Sequence, residues 1–166
     1  MRSHDKEFIN LKVHTQYSIC EGAVKIDELA GFCKQNKIKA IGLADSNNLC
    51  GALEFAEKIS KVGTQPLIGT QINILSNNQI GKITLYATSE KGYQNLTNLS
   101  SLSYLKNKAK EIHEPYCDVE DLIKNNKDLI LLTGNYNNYF GKLFYANQEK
   151  YLEKIIEDLK SSFQDR

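Results

Sequence analysis

Short β-like apolar runs alternate with longer helical stretches along this chain, and that alternation constrains its fold more than any single residue does. Phe8 to His14 (FINLKVH) reads as a strand, and Val24 to Asn36 places Ile26, Leu29, Ala30 and Cys33 on one helical face. Ile38 to Asp45 reads as a second strand. Leu49 to Val62 then sets Leu49, Ala52, Leu53, Ala56 and Ile59 on one face, with Gly63 as its C-terminal stop. Pro66 to Ile74 and Gly81 to Ala87 are further strands. The polar link Ser76 to Gln79 between them is too short for a crossover helix and predicts a hairpin. Ser89 caps a helix to about Leu105, and Asp118 with Asp121 forms a capping-box analogue before a short helix. Lys127 to Thr133 is wholly apolar in its middle, which predicts a strand buried on both faces. Helices follow near Asn138 to Tyr145 and Gln148 to Phe163.

This order predicts an α/β fold with a mainly parallel sheet or barrel. About five strands in 166 residues fall short of a closed barrel, which usually needs more than about 200 residues. We divide the chain into a leader, 1–7, and a single domain, 8–166. Lys106 to Glu114 is its most polar stretch and the expected long loop.

Charge narrows the partners. The first 83 residues carry 10 basic and 8 acidic side chains, and the rest carry 11 and 12. Neither half is a basic arm, so the chain alone lacks the electrostatic footprint of a dedicated nucleic-acid binder. Cys20, Cys33, Cys50 and Cys117 form no CxxC pair, which excludes zinc-knuckle and thioredoxin motifs and fits reduced thiols in a cytoplasmic protein. No apolar run approaches the length of a membrane span. No GxxxxGK or strand-following GxGxxG is present.

In parallel α/β folds the chemistry lies at the C-terminal ends of strands. Those ends offer His14 and Glu21, then Asp45-Ser46-Asn47-Asn48, then Asn135 after Thr133-Gly134. A histidine and two carboxylates can bind a metal or exchange protons. Equally, Asp45 and Asn47 can satisfy loop backbone groups, with Glu21 a solvated turn residue. His4 and His113 read as surface residues. Tyr136 and Tyr139 read either as base-stacking rings or as residues that start a helix.

The segment from Phe8 to Gly22, with His14, Ser18 and Glu21-Gly22, resembles the opening HxHxxxSxxDG motif of PHP domains. Ile41 to Ala52, completed by Phe55, resembles their TDHxNxxGxxxF motif, and Pro66-Leu67-Ile68-Gly69 their PIIG strand. Gly92-Tyr93-Gln94-Asn95-Leu96 and Leu129 to Gly134 resemble segments of the bacterial DNA polymerase III alpha-subunit family, where the PHP domain is N-terminal. The resemblance implies the N-terminal part of a distorted seven-stranded barrel, in a parent protein that is a DNA-directed DNA polymerase, a nucleotidyltransferase of DNA replication. Mg²⁺ would belong to that parent's polymerase domain.

Active members of the family hold three divalent metals that activate water for phosphoester hydrolysis. Carried over, the first histidine of HxH is here Lys12 and the second is His14. Glu21 replaces the aspartate of the DG pair, and Ser46 replaces the histidine of TDH. Gln71, Lys82 and Asn135 stand where an acidic residue, a histidine and a cysteine are usual. The final two ligands would lie beyond Arg166. Only His14 and Glu21 keep ligand character, so the resemblance implies a vestigial site of Lys12, His14, Glu21, Asp45, Ser46, Gln71, Lys82 and Asn135, with no metal, no cofactor and no catalytic residue. We expect Lys12 and Lys82 to occupy the former metal positions and pair with Glu21 and Asp45. Family members that have lost their ligands serve as structural support and dock a proofreading exonuclease subunit. That implies two sets of partners, the subunit and the remaining polymerase domains, with DNA reached only through the parent and no membrane. The rival readings are a free-standing PHP phosphoesterase and a direct DNA-binding module.

Overall fold

The computed structural model describes residues 8–106 and 114–164. The predicted leader, His4, His113 and most of the predicted long loop lie outside them. The elements run α1 (Ile26–Gln35), β1 (Ala40–Ser46), α2 (Ala52–Lys61), β2 (Gln65–Ser76), β3 (Gln79–Ala87), α3 (Glu90–Lys106), α4 (Val119–Lys124), β4 (Leu129–Leu132), α5 (Tyr139–Tyr145) and α6 (Glu149–Phe163).

The four strands form one sheet in the order β1-β2-β3-β4. β1 pairs parallel with β2, while β2 with β3 and β3 with β4 are antiparallel. The α/β class and the partial barrel therefore stand, but parallel pairing is confined to the β1 side. The predicted hairpin forms, with Asn77 and Asn78 both at positive φ, 47° and 60°. A two-residue turn of that kind matches the twist of the flanking strands.

The first predicted strand does not form as such. Phe8 to His14 runs beside β1 with one isolated parallel bridge, Val13 to Leu43. It is held by Gly42 N–H donating to Asn10 O at 2.8 Å and Ala44 N–H to Val13 O at 2.8 Å. The ladder is interrupted because Lys12 N–H turns back to Asn10 Oδ1 at 3.1 Å, an asparagine side chain competing with the strand for a donor. Gly42 permits the close approach: a Cβ there would lie 2.4 Å from Leu11 O.

Two apolar clusters flank the sheet. One gathers Ile72, Ile74, Ile83 and Leu85 from the hairpin against Leu96 and Leu99 of α3, Leu143 of α5, and Ile155, Leu159 and Phe163 of α6. The other packs Ile26, Leu29, Ala30 and Cys33 of α1 and Ala52, Phe55 and Ile59 of α2 on Val13, Ile41 and Leu43. Leu53, expected on the packed face of α2, is 72% exposed. Ala52, Phe55 and Ile59 recur at i, i+3 and i+7, and Leu53 falls one position off that stripe; Phe55 takes the buried place.

The apolar run before Thr133 is not a strand buried on both faces. β4 is an edge strand whose Leu129 is buried and whose Ile130 is exposed. Its neighbour β3 covers one side, and no described strand covers the other. The caps at Ser89 and Asp118 form as expected: Gly92 N–H donates to Ser89 Oγ at 3.1 Å and Asp118 N–H to Asp121 Oδ2 at 3.0 Å.

Strand period places the site. In the β2–β3 register Ile72 faces Ile83, while Gln71 faces Thr84 and Asn73 faces Lys82. Alternate side chains point to opposite faces, so one face of the hairpin builds the core and the other presents a polar floor.

Candidate functional site

Asp45, the penultimate residue of β1, is fully buried. Its Oδ1 accepts Thr15 N–H at 2.6 Å and the Ser18 hydroxyl at 2.6 Å, and Oδ2 accepts the Thr15 hydroxyl at 2.7 Å. Asp45 thus ties the turn after the first segment to the end of β1. Thr70 donates its hydroxyl to Asp45 O at 2.7 Å, adding β2 to the same knot. Asn47, at φ 55°, donates N–H to Gln71 O at 2.7 Å, and its Oδ1 accepts Asn73 N–H at 3.2 Å. Both residues therefore satisfy loop and strand backbone groups, the second of the two sequence readings.

The expected pairing of lysines with Glu21 and Asp45 holds for one pair only. Lys82 forms an ion pair with Glu21 and donates to Ser46 Oγ at 3.1 Å, and Ser46 in turn bonds Glu21. Lys12 forms no ion pair among the described residues, and Asp45 takes hydroxyls and a backbone N–H instead of a lysine. The Thr15–Ser18 turn closes over the carboxylate before any lysine from the strands can reach it.

His14 Nδ1 lies 3.2 Å from Ser18 Oγ. Burial, then the nearby Lys12, lowers its pKa from 6.5, with Lys82 adding to the effect. Burial works to raise the Glu21 pKa, but the Lys82 and Ser46 hydrogen bonds outweigh it and hold the carboxyl below 4.5. Both shifts leave the unfolded chain binding more protons, so both make stability rise with pH and decline on acidification. The His14 contribution is present above 6.5 and is lost as pH falls through its folded pKa; that of Glu21 follows below 4.5. Denaturant midpoints across this range should decline on acidification, and His14→Gln should flatten the upper part of the decline. An unchanged profile in the variant would remove His14 as its source.

A cleft of about 470 Å³ opens over the polar floor. Its lining includes Lys12, His14, Glu21, Gln71 and Lys82 from the sequence list, and adds Asn73, Glu114, Asn137, Asn138 and Lys142. Gln71 is buried and donates its amide to Thr84 Oγ1 at 3.0 Å. Asn135 is outside the cleft; its Oδ1 accepts Asn137 N–H at 3.0 Å in the turn that starts α5. Asn73 was legible in principle, since it lies two residues from Gln71 on the same strand face. Lys142 had no local signal, because only the docking of α5 on β3 brings it here.

The donor set does not fit a metal cluster. Glu21 is engaged by Lys82 and Ser46, and both Asp45 oxygens are engaged by Thr15 and Ser18. An ammonium offers no lone pair while protonated and repels a cation. Among the described residues no three His, Cys, Asp or Glu side chains converge to hold a metal ion. All four thiols are free, with Cys33 and Cys117 buried. No described helix is long and apolar enough to cross a membrane.

Comparison with known proteins gives one consistent result. The PHP domain family matches residues 10–166. DNA polymerase III subunit alpha of Rickettsia felis is 38% identical over 161 residues, covering 96% of this chain and 13% of that protein. The subunit of Caulobacter vibrioides is 32% identical over 167 residues, 96% of this chain and 14% of its own. That of Buchnera aphidicola is also 32% identical, over 98% of this chain and 14% of its own. The chain spans about one seventh of the length of these relatives. An amidohydrolase structure from Chromobacterium violaceum superposes with TM-score 0.44 at 18% identity, over 55% of this chain and 32% of its own, too distant to inform function.

Proposed function

The chain belongs to the PHP domain family, and from that premise we propose that it is a metal-free structural scaffold within a replicative DNA polymerase III alpha subunit and docks the proofreading exonuclease subunit. The observation that carries the metal-free part is the Lys82 ammonium, which lies between Glu21 and Ser46 and pairs with the carboxylate a metal would need. Binding a cation there would require breaking that pair and placing two positive charges together. The scaffold part rests on the alpha-subunit relatives and on Asp45, whose buried bonds organise the old site as a structural knot.

Under this reading the chain has no catalytic residue. Nucleotidyl transfer, its Mg²⁺ and the contact with DNA belong to the remaining polymerase domains, and the assembly works in the bacterial cytoplasm. Calorimetric titration with Mn²⁺ or Zn²⁺ should show no tight site, and a generic phosphomonoester with added Mn²⁺ should not be hydrolysed. A tight metal site with turnover would instead establish a free-standing phosphoesterase. Mixing the chain with the exonuclease subunit from the same genome should give a complex on size-exclusion chromatography; separate elution would remove the docking role.

A further inference from the structure

We propose that the free edge of β4 joins two copies of this chain into a dimer, by antiparallel strand pairing about a twofold axis at Leu131. This goes beyond the scaffold reading and does not rest on it. No described strand pairs with the outer side of β4. On its inner side Thr88 N–H donates to Asp128 O at 3.0 Å, and Tyr86 and Thr84 face Ile130 and Leu132 in turn. Bonded pairs alternate along an antiparallel ladder, so Asp128, Ile130 and Leu132 turn their backbone groups to β3, and Leu131 turns its N–H and C=O outward. Leu131 makes no backbone bond outside the sheet among the described residues. Natural edges are commonly protected by a lysine, a proline or a bulge, and Leu129-Ile130-Leu131-Leu132 has none of these.

Apolar hollows flank this edge on both faces. Ile130, Leu132, Leu67 and Tyr86 line one of about 590 Å³. Leu131, Phe140, Leu159 and Phe163 line one of about 160 Å³ on the helix side. A strand added at the edge sets alternate side chains into the two hollows. Tyr86 is 5% exposed and its hydroxyl has no hydrogen-bond partner among the described residues, so they leave the first face unfinished. The edge is complementary to itself. A twofold axis through Leu131, perpendicular to the sheet, keeps each face with its like. Leu131 then exchanges two N–H···O bonds with the partner's Leu131, and Ile130 lies opposite the partner's Leu132 over the larger hollow. The same register sets Lys127 opposite the partner's Asn135 and Asp128 opposite the partner's Gly134, so no like charges meet. An axis at Ile130 would instead set Asp128 against Leu132, and a shift of parity would turn every side chain to the wrong face. A four-residue ladder is short against the roughly 1,200–2,000 Å² of a standard interface, which places the dimer in the micromolar range.

The test is sedimentation velocity of the 166-residue chain from low to high micromolar concentration. The mass should rise from 18.8 kDa toward twice that value. Ile130→Lys carries an ammonium into the partner's apolar hollow and should weaken the association by about tenfold or more. Ile130 is 36% exposed, so this variant should keep the parent circular-dichroism spectrum. A crosslink tests the pairing independently of that variant's folding. Leu131→Cys sets two thiols across the axis with Cα atoms about 5.5 Å apart, within disulfide reach. The exposed Cys20 and Cys50 are first replaced by serine. Oxidised glutathione should then convert Leu131→Cys to a covalent dimer and leave Leu53→Cys, on the exposed side of α2, monomeric. A chain that is monomeric throughout would leave the edge to a segment of a longer polypeptide and overturn the proposal. So would a dimer undiminished by Ile130→Lys, or one that gives no covalent dimer with Leu131→Cys.

Discussion

Replacing Asp45 with alanine is expected to cost about 3 kcal/mol or more of folding stability, the sum of several buried donors losing their acceptor at about 1–3 kcal/mol each. The carboxylate is fully buried and accepts Thr15 N–H and the hydroxyls of Thr15 and Ser18. Alanine leaves Thr15 and Ser18, themselves buried, with donors facing a void. In a chain of this size such a loss lowers the melting temperature by roughly 6–12 °C. Asp45→Asn keeps the shape but presents an amide NH₂ where one donor already points, so it should also destabilise. Thermal unfolding of both variants checks this. A metal ligand freed of its metal would behave differently, since removing a carboxylate that stood unpaired among its neighbours would stabilise the chain. An Asp45→Ala protein as stable as the parent would therefore undo the structural account of this residue.

Phe55→Ala should have an effect of the same order, about 3–5 kcal/mol by urea denaturation, as buried aromatic truncations do. Phe55 is fully buried in the cluster that joins α1 and α2 to Val13, Ile41 and Leu43. The lost ring leaves a cavity beneath the segment that leads into His14. The two substitutions should also differ in a telling way. Phe55→Ala weakens the packing under the site, whereas Asp45→Ala releases the turn at Thr15 to Ser18 directly. Hydrogen exchange at Thr15 and Gly22 should therefore accelerate more, relative to global stability, in Asp45→Ala. Equal acceleration in both variants would mean the turn opens only with the whole domain.

The comparison between sequence and structure turns on particular residues. α1 was legible because Ile26, Leu29, Ala30 and Cys33 recur with helical period, and all four are buried. The hairpin was legible because Asn77 and Asn78 fill a link with room for nothing else. Ser89 and Asp118 announced their helices by side-chain chemistry alone. Where the reading failed, the missing term was tertiary. The run Leu129 to Leu132 looks the same from sequence whether its partners lie on two sides or one. Leu53 and Phe55 lie two residues apart, and a window-wide pattern did not choose between them. Asn10 broke the first strand through a bond to Lys12 N–H that competes with the ladder.

The eight residues of the proposed vestigial site show the same division. Residue types at Lys12, Ser46, Gln71 and Lys82 were enough to argue against a metal centre, because ligand chemistry depends on lone pairs and charge. Which lysine would pair with which carboxylate was not readable. Lys82 reaches Glu21 because strand period points it to the polar floor, while the Thr15–Ser18 turn seals Asp45 away from both lysines. The sequence by itself determined the α/β alternation, the caps and the family, all of which are local in chain or in chemistry. Only the tertiary structure decided the edge position of β4, the partner of each charge, and the meeting of Lys142 with Lys12 and Lys82 across the cleft. Those depend on how distant segments pack, and packing is set by contacts that no local window contains.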